Sequence, residues 1–226
     1  MKHAYPATNP QVDDTLTLSI LEIYNEQIRD LLSESAVVGK LKLKTSCSTH
    51  GTLRFGGRGN STPGLTAVLV STLEEVLTIL SDADRIRASA CTNLNNHSSR
   101  SHLIVSVNVT GMNRNTGTVL TGRLHLIDLA GSERVNKSGV AGQTLREAQN
   151  INRSLSALGD VISARASHQI HVPYRNSTLT YLLQDSLCAD SKTLMLVCVS
   201  PVMNTAEESF CSLNFAARVR TVELGK

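Results

Sequence analysis

Asn95-Asn96-His97-Ser98-Ser99-Arg100-Ser101-His102 runs into the apolar stretch Leu103–Val109, and Asp128-Leu129-Ala130-Gly131-Ser132-Glu133 follows another, Leu124–Ile127. The first segment sets hydroxyls and a permanently charged guanidinium at the start of a strand. The second sets a carboxylate at a strand end, then a glycine whose bare backbone lets another group come close, then a second carboxylate. The flanking runs are of strand length: LIVSVNV over Leu103–Val109, and Val119–Leu129. The cluster Met112-Asn113-Arg114-Asn115-Thr116-Gly117 between them has the composition of a hairpin turn.

Working outward, LTLSILEIY over Leu16–Tyr24 alternates and predicts a strand. Asn25-Glu26-Gln27 is expected to open a short helix carrying Ile28, Leu31 and Leu32 on one side. Residues 33–64 mix Lys, Ser, Thr and Gly with short β-like pieces such as Lys40–Lys44, and Phe55–Gly64 reads as an exposed loop. Ser71-Thr72 with Glu74 and Glu75 has capping-box spacing, and Leu73, Val76, Leu77 and Leu80 form the expected buried stripe of the helix that follows. Leu145, Ala148, Ile151, Leu155, Leu158 and Ile162 recur at helical spacing. Pro173 breaks the chain, and a helix from about Ser177 is expected to bury Leu179, Leu182, Leu183 and Leu187. Thr193–Val199 is almost wholly apolar and predicts a central strand covered on both faces. Thr205 with Glu208 is a second candidate capping box, opening a helix through Phe210 and Leu213. The sum is an α/β protein: a central mixed β-sheet with helices on both faces, in one domain.

The sequence has 226 residues, 41% hydrophobic and 18% charged, enough for one sizeable core and unlike the composition of a disordered chain. No apolar run approaches the length that spans a bilayer, and Met1–Pro10 lacks the apolar segment of a secretory signal. Cys47, Cys91, Cys188, Cys198 and Cys211 show no C-x-x-C spacing and read as reduced thiols of a cytosolic protein. The histidines form no H-x-x-x-H pair, which argues against a dedicated metal site. Net charge is +3, and its placement says more: between Gly131 and Thr180 there are six Lys/Arg residues against three acidic ones. Such a local basic face suits an acidic partner, although a plain solvated helix face has the same appearance.

The pairing of N-x-x-S-S-R-S-H with D-L-A-G-S-E resembles the two γ-phosphate-sensing switches of the kinesin motor domain. D-x-x-G alone is weak, since GTPases and myosins use it too, but no guanine-specifying N-K-x-D occurs. Ser98, Ser99 and Ser101 also suit a simple cap of the turn before Leu103. The likeness extends to Leu21-Glu22-Ile23-Tyr24-Asn25-Glu26, to Ile151-Asn152-Arg153-Ser154-Leu155-Ser156-Ala157-Leu158-Gly159, and to His171-Val172-Pro173-Tyr174-Arg175-Asn176-Ser177. The end, from Asn214-Phe215-Ala216-Ala217-Arg218 to Gly225, is similar to kinesins with a C-terminal motor, a group mostly minus-end directed.

What the resemblance implies is a microtubule-stimulated ATPase using ATP and Mg²⁺, cytoplasmic and bound to the microtubule cytoskeleton. Asn95, Ser98, Ser99, Asp128 and Gly131 would contact the nucleotide. Ser99 would ligate Mg²⁺ directly, and Asp128 through a water. Arg100 would bridge to Glu133 as a latch when the site closes. Lys137, Arg146, Arg153 and Arg175 would face tubulin, and a coiled coil outside this chain would form a homodimer. Neither nucleic acid nor membrane is expected as a partner. The likeness also implies a G-x-x-x-x-G-K-[ST] phosphate loop ahead of Leu21, and no such motif occurs here: Gly39-Lys40 is followed by Leu41. The chain therefore reads as the C-terminal two-thirds of a motor domain, with weak or absent ATP binding expected of it alone and an unpaired sheet edge. The alternative is a non-catalytic microtubule-binding or regulatory fragment. Thr178, Asn214 and Arg165 depart from the family's usual residues, and Arg153 replaces a usual Lys with its charge kept.

Overall fold

The computed structural model describes residues 12–33, 44–45, 60–89, 97–131, 143–187 and 191–220. β1 (Val12–Tyr24) lies at the centre of a five-stranded sheet. Along one edge it pairs antiparallel with β6 (Ser101–Asn113), from Val12↔Asn113 to Tyr24↔Ser101. Its other edge carries β2 (Gln27–Asp30) and β5 (Val68–Val70), also antiparallel. β6 pairs in turn with β7 (Val119–Asp128), so β7 is the outermost strand on that side among the described residues. β3 (Lys44–Thr45) and β4 (Asn60–Ser61) form a separate two-stranded piece.

Helices cover both faces, as the sequence leads one to expect. Strand alternation sends Leu18 and Ile20 of β1 and Val105 of β6 to one face. There they pack with Val70 and with Ala83 of α1 (Leu73–Ser89). Leu21, Ile23 and Ile104 go to the other face, against Leu158, Val161 and Ile162 of α2 (Gln143–Ala166), and against Leu179 of α3 (Thr178–Leu182) with Leu183 and Leu187 beyond its end. Phe215 and Val219 of α4 (Ala206–Arg220) close that core from outside.

Local chemistry explains the elements. Thr72 Oγ1 accepts from Glu75 N–H at 3.2 Å, while Glu75 Oε2 accepts from the Ser71 and Thr72 amides, so the capping box of α1 is real. Ser177 caps α3 reciprocally with Thr180. Asn113 Oδ1 accepts from the amides of Asn115 and Thr116, and Gly117 takes φ 67°, which closes the β6–β7 hairpin.

Four expectations are corrected. Asn25-Glu26-Gln27 opens no helix: Asn25 and Glu26 take φ 52° and 61°, and the chain turns back as the β1–β2 hairpin. Two successive residues at positive φ give the tight turn whose twist matches paired strands. The buried stripe of α1 keeps Val76 and Leu80 against the core but is rotated from the one expected. Leu73 and Leu77 are exposed, and Ala83 and Arg87 are buried, because a buried carboxylate of β1 draws the arginine inward. Thr193–Val199 lies outside the sheet, with Leu194 84% and Leu196 82% exposed; its apolar sequence finds no strand beside it among the described residues. Thr205 makes no capping box with Glu208, since its hydroxyl donates to the Val202 carbonyl at 2.9 Å in a 3-10 turn, and Phe210 and Leu213 are exposed.

Candidate functional site

The described parts of the two motif segments, His97–His102 and Asp128–Gly131, meet at one end of the sheet. Antiparallel pairing sets Leu103, at the start of β6, opposite Asp128, at the end of β7. Ser98, Ser99 and Arg100 belong to a 3-10 turn over His97–Arg100, immediately before β6. Gly131 N–H donates to the Ser99 carbonyl at 2.8 Å, so the loop after β7 is bonded to that turn. A backbone-to-backbone bond is the tightest join two loops can make without a side chain, and Gly131 permits the approach.

A charged joint supports this end on the α1 face. Glu22, near the C-terminal end of β1, is fully buried. Arg87, in the last turn of α1, donates Nε–H to Glu22 Oε1 at 3.2 Å. Its Nη2 donates to the Ser101 hydroxyl at 3.0 Å and the Ser101 carbonyl at 3.2 Å. Arg87 Nη1 also stands 3.6 Å from Asp128 Oδ2, and Arg29 Nη1 lies 3.7 Å from Glu22 Oε2. One guanidinium therefore ties α1, β1, β6 and the end of β7 together, as its rigid fork of donors allows. The Asp128 carboxylate remains 69% exposed, open to a ligand on its free side.

A second joint lies on the α2 face. His102 is 3% exposed. Its Nδ1 accepts from Ala130 N–H at 3.0 Å, and its Nε2 lies 2.7 Å from Ser154 Oγ on α2. Burial, and secondly the positive charge of Arg87, lower its pKa from 6.5 to about 4, so the ring is neutral near neutral pH.

Of the other expected residues, Asn95, Glu133 and Lys137 lie outside the described residues, so the Arg100–Glu133 latch does too. The side chains of Ser98 and Arg146 also lie outside them. Arg153 on α2 and Arg175, in the turn before α3, are exposed. That region is braced by the β1–β2 turn: Glu26 Oε2 accepts from Thr178 N–H at 2.7 Å, its carbonyl from the Thr178 hydroxyl at 3.0 Å, and Asn25 accepts from Asn150. Arg165 buries an Nε that finds no hydrogen-bond partner among the described residues. Sequence reasoning passed over Arg87 and Ser154. The signal for Arg87 was Glu22, a lone carboxylate inside an apolar strand, which needs a buried counter-charge.

The kinesin motor domain profile matches residues 2–222. The chain belongs to the kinesin motor domain family. It is 49% identical over 211 residues to the kinesin-like protein KIN-14E of Oryza sativa subsp. japonica, covering 93% of this chain and 19% of that protein. Against kinesin-like protein KIN-14Q of Arabidopsis thaliana it is 51% identical over 214 residues, covering 93% and 17%. The chain thus spans about a fifth of the length of these kinesin relatives. Among solved structures, a fast kinesin superposes with TM-score 0.82 at 39% identity, over 95% of this chain and 58% of that one. The motor domain of Kar3 from Saccharomyces cerevisiae gives 0.75 at 42%, over 93% and 61%. The sheet with helices on both faces is therefore that of the kinesin motor.

Proposed function

We propose that this chain is the switch-bearing part of a microtubule motor, in which ATP hydrolysis drives movement along microtubules. The observation that carries the reading is the Gly131 N–H to Ser99 carbonyl bond, which joins the two segments a γ-phosphate would have to reach. Kinesin family membership supplies the partner class. In this reading Asn95, Ser98 and Ser99 contact the nucleotide. Ser99 holds Mg²⁺ directly and Asp128 holds it through a water. The donor set suits that role: an exposed strand-end carboxylate beside a hydroxyl-bearing turn fits a hydrated Mg²⁺ carried by a polyphosphate. Among the described residues no group of three or more His, Cys, Asp or Glu side chains forms a dedicated metal cage.

Bound Mg·ATP supplies the phosphoryl group and the charge to which the switches respond. The protein's own part is positioning. Arg87 orients the Asp128 carboxylate from the α1 side. The Gly131 amide is engaged by Ser99, so offering it to another acceptor requires that bond to open. Arg100 and Glu133 then close the site as an ion pair. Lys137, Arg146, Arg153 and Arg175 present positive charge to the acidic microtubule surface. Minus-end direction, dimerisation through a coiled coil elsewhere in the protein and residence on the cytoplasmic cytoskeleton belong to the same proposal.

The test is Glu133→Ala in a version of the protein carrying the G-x-x-x-x-G-K-[ST] loop. Microtubule-stimulated phosphate release is expected to vanish while microtubule binding persists. Retained turnover would overturn the latch.

A further inference from the structure

His102 has its hydrogen bonds assigned by its neighbours. The Ala130 amide is an obligate donor, so Nδ1 is the acceptor at 3.0 Å and the ring proton sits on Nε2. Nε2 then donates to Ser154 Oγ at 2.7 Å, and the Ser154 hydroxyl donates to the Ile151 carbonyl at 2.8 Å. The chain of bonds has one direction and no free proton: Ala130 amide, His102 ring, Ser154 hydroxyl, helix backbone. Ala130, His102 and Ser154 are 4%, 3% and 2% exposed, so water offers none of them a substitute partner.

The two ends of this chain matter. Ala130 precedes Gly131, whose amide is held by Ser99. Two successive amides of the loop after β7 are thus pinned to β6 and to the turn before it. Ser154 follows the exposed Arg153 on α2. A shift of the loop that frees Gly131 from Ser99 displaces the Ala130 amide, and the buried ring has no other acceptor position to offer it.

We infer that His102 is a positioning residue that carries displacement of the loop after β7 to α2, coupling the nucleotide-facing loop to the helix that bears Arg153. The inference deepens the proposed function and rests on it for what the displacement means, but the mechanical link stands on the geometry alone. A histidine that only fills the core would stabilise the fold without linking Ala130 to Ser154.

The experiment is residue-resolved amide exchange on the full chain, wild type against Ser154→Ala, His102→Asn and His102→Gln, paired with microtubule co-sedimentation of the wild type and Ser154→Ala in a version carrying the G-x-x-x-x-G-K-[ST] loop. Asn places its Oδ1 near the Nδ1 position and keeps the Ala130 acceptor while losing Ser154. Gln reaches Ser154 with its amide nitrogen but loses the acceptor. Ser154→Ala removes only a hydroxyl from α2, and it is expected to speed exchange at Ala130 and Gly131 about tenfold while the amides of β1 hardly change. His102→Gln is expected to exceed that effect, and His102→Asn to fall below His102→Gln at Ala130. Unchanged exchange at Ala130 in Ser154→Ala, or an equal rise throughout β1 and β6, would overturn the coupling. In co-sedimentation, the ratio of affinities with a non-hydrolysable ATP analogue and with ADP is expected to move towards one in Ser154→Ala. A wild-type ratio already at one would overturn the proposed function and leave the exchange result to decide the coupling. A wild-type ratio away from one that Ser154→Ala leaves intact would overturn the coupling and spare the function.

Discussion

β1 and β7 are both long apolar strands of one sheet, and they end in opposite environments. From Leu18 to Ile23, β1 is buried on both faces, by α1 on one side and by α2 and α3 on the other. β7 exposes nearly its whole length, with Leu120 73%, Leu124 54% and Leu126 56% exposed. Thr193–Val199, equally apolar, is exposed as well. Apolar patterning specifies a strand's readiness to be covered, and the neighbours that arrive decide whether it is. The candidate site sits on the seam, with Ser99 anchored beside the covered strands and Asp128 at the end of the open one.

The sharpest way to break the covered half is the buried Glu22–Arg87 pair. Arg87→Leu removes the guanidinium that donates to the buried Glu22, and a loss of about 3–5 kcal/mol in urea unfolding is expected. The double change with Glu22→Leu is expected to recover most of it. Leu18→Ala, at a side chain with 0% exposure, is expected to cost about 2–5 kcal/mol in the same assay.

Acid tests the α2 face. His102 has a folded pKa of about 4 against 6.5 unfolded, so the unfolded chain binds the extra proton first as pH falls. The stability this contributes is complete above pH 6.5 and drains away down to about pH 4, on the order of 3 kcal/mol. Urea midpoints across that window should fall with acid in the wild type, and less steeply in His102→Gln.

Smaller effects sharpen the contrast. Arg165→Met removes a buried Nε that has no hydrogen-bond partner among the described residues, and is expected to raise stability by up to about 1 kcal/mol. On the open half, Leu120→Lys with Leu124→Lys should leave unfolding within about 0.5 kcal/mol of wild type. The same pair should suppress concentration-dependent association in sedimentation velocity, since a strand edge with exposed apolar side chains and no neighbour among the described residues invites pairing.

Much of this was legible in the residues. The β6–β7 hairpin, the long helix α2, the Thr72–Glu75 cap and the start of α3 near Ser177 follow from local periodicity and side-chain chemistry. The joining of the Ser98-Ser99-Arg100 turn with the Asp128-Leu129-Ala130-Gly131 loop followed from the likeness to kinesin switches. Other features depend on distant partners. Asn25-Glu26 could start a helix or close a hairpin, and pairing with β1 decided it. Leu73 and Leu77 fit a helical stripe, but Arg87 turned α1 towards Glu22. The link from His102 to Ser154 spans 52 residues, and no pattern in either segment announces it.

The most direct test of the motor reading is co-sedimentation with microtubules of a version of the protein carrying the G-x-x-x-x-G-K-[ST] loop, with ADP and with a non-hydrolysable ATP analogue. Binding that changes with the nucleotide is the predicted result, because the joined switches would then sense the γ-phosphate. Binding indifferent to nucleotide, or no binding at all, would contradict it.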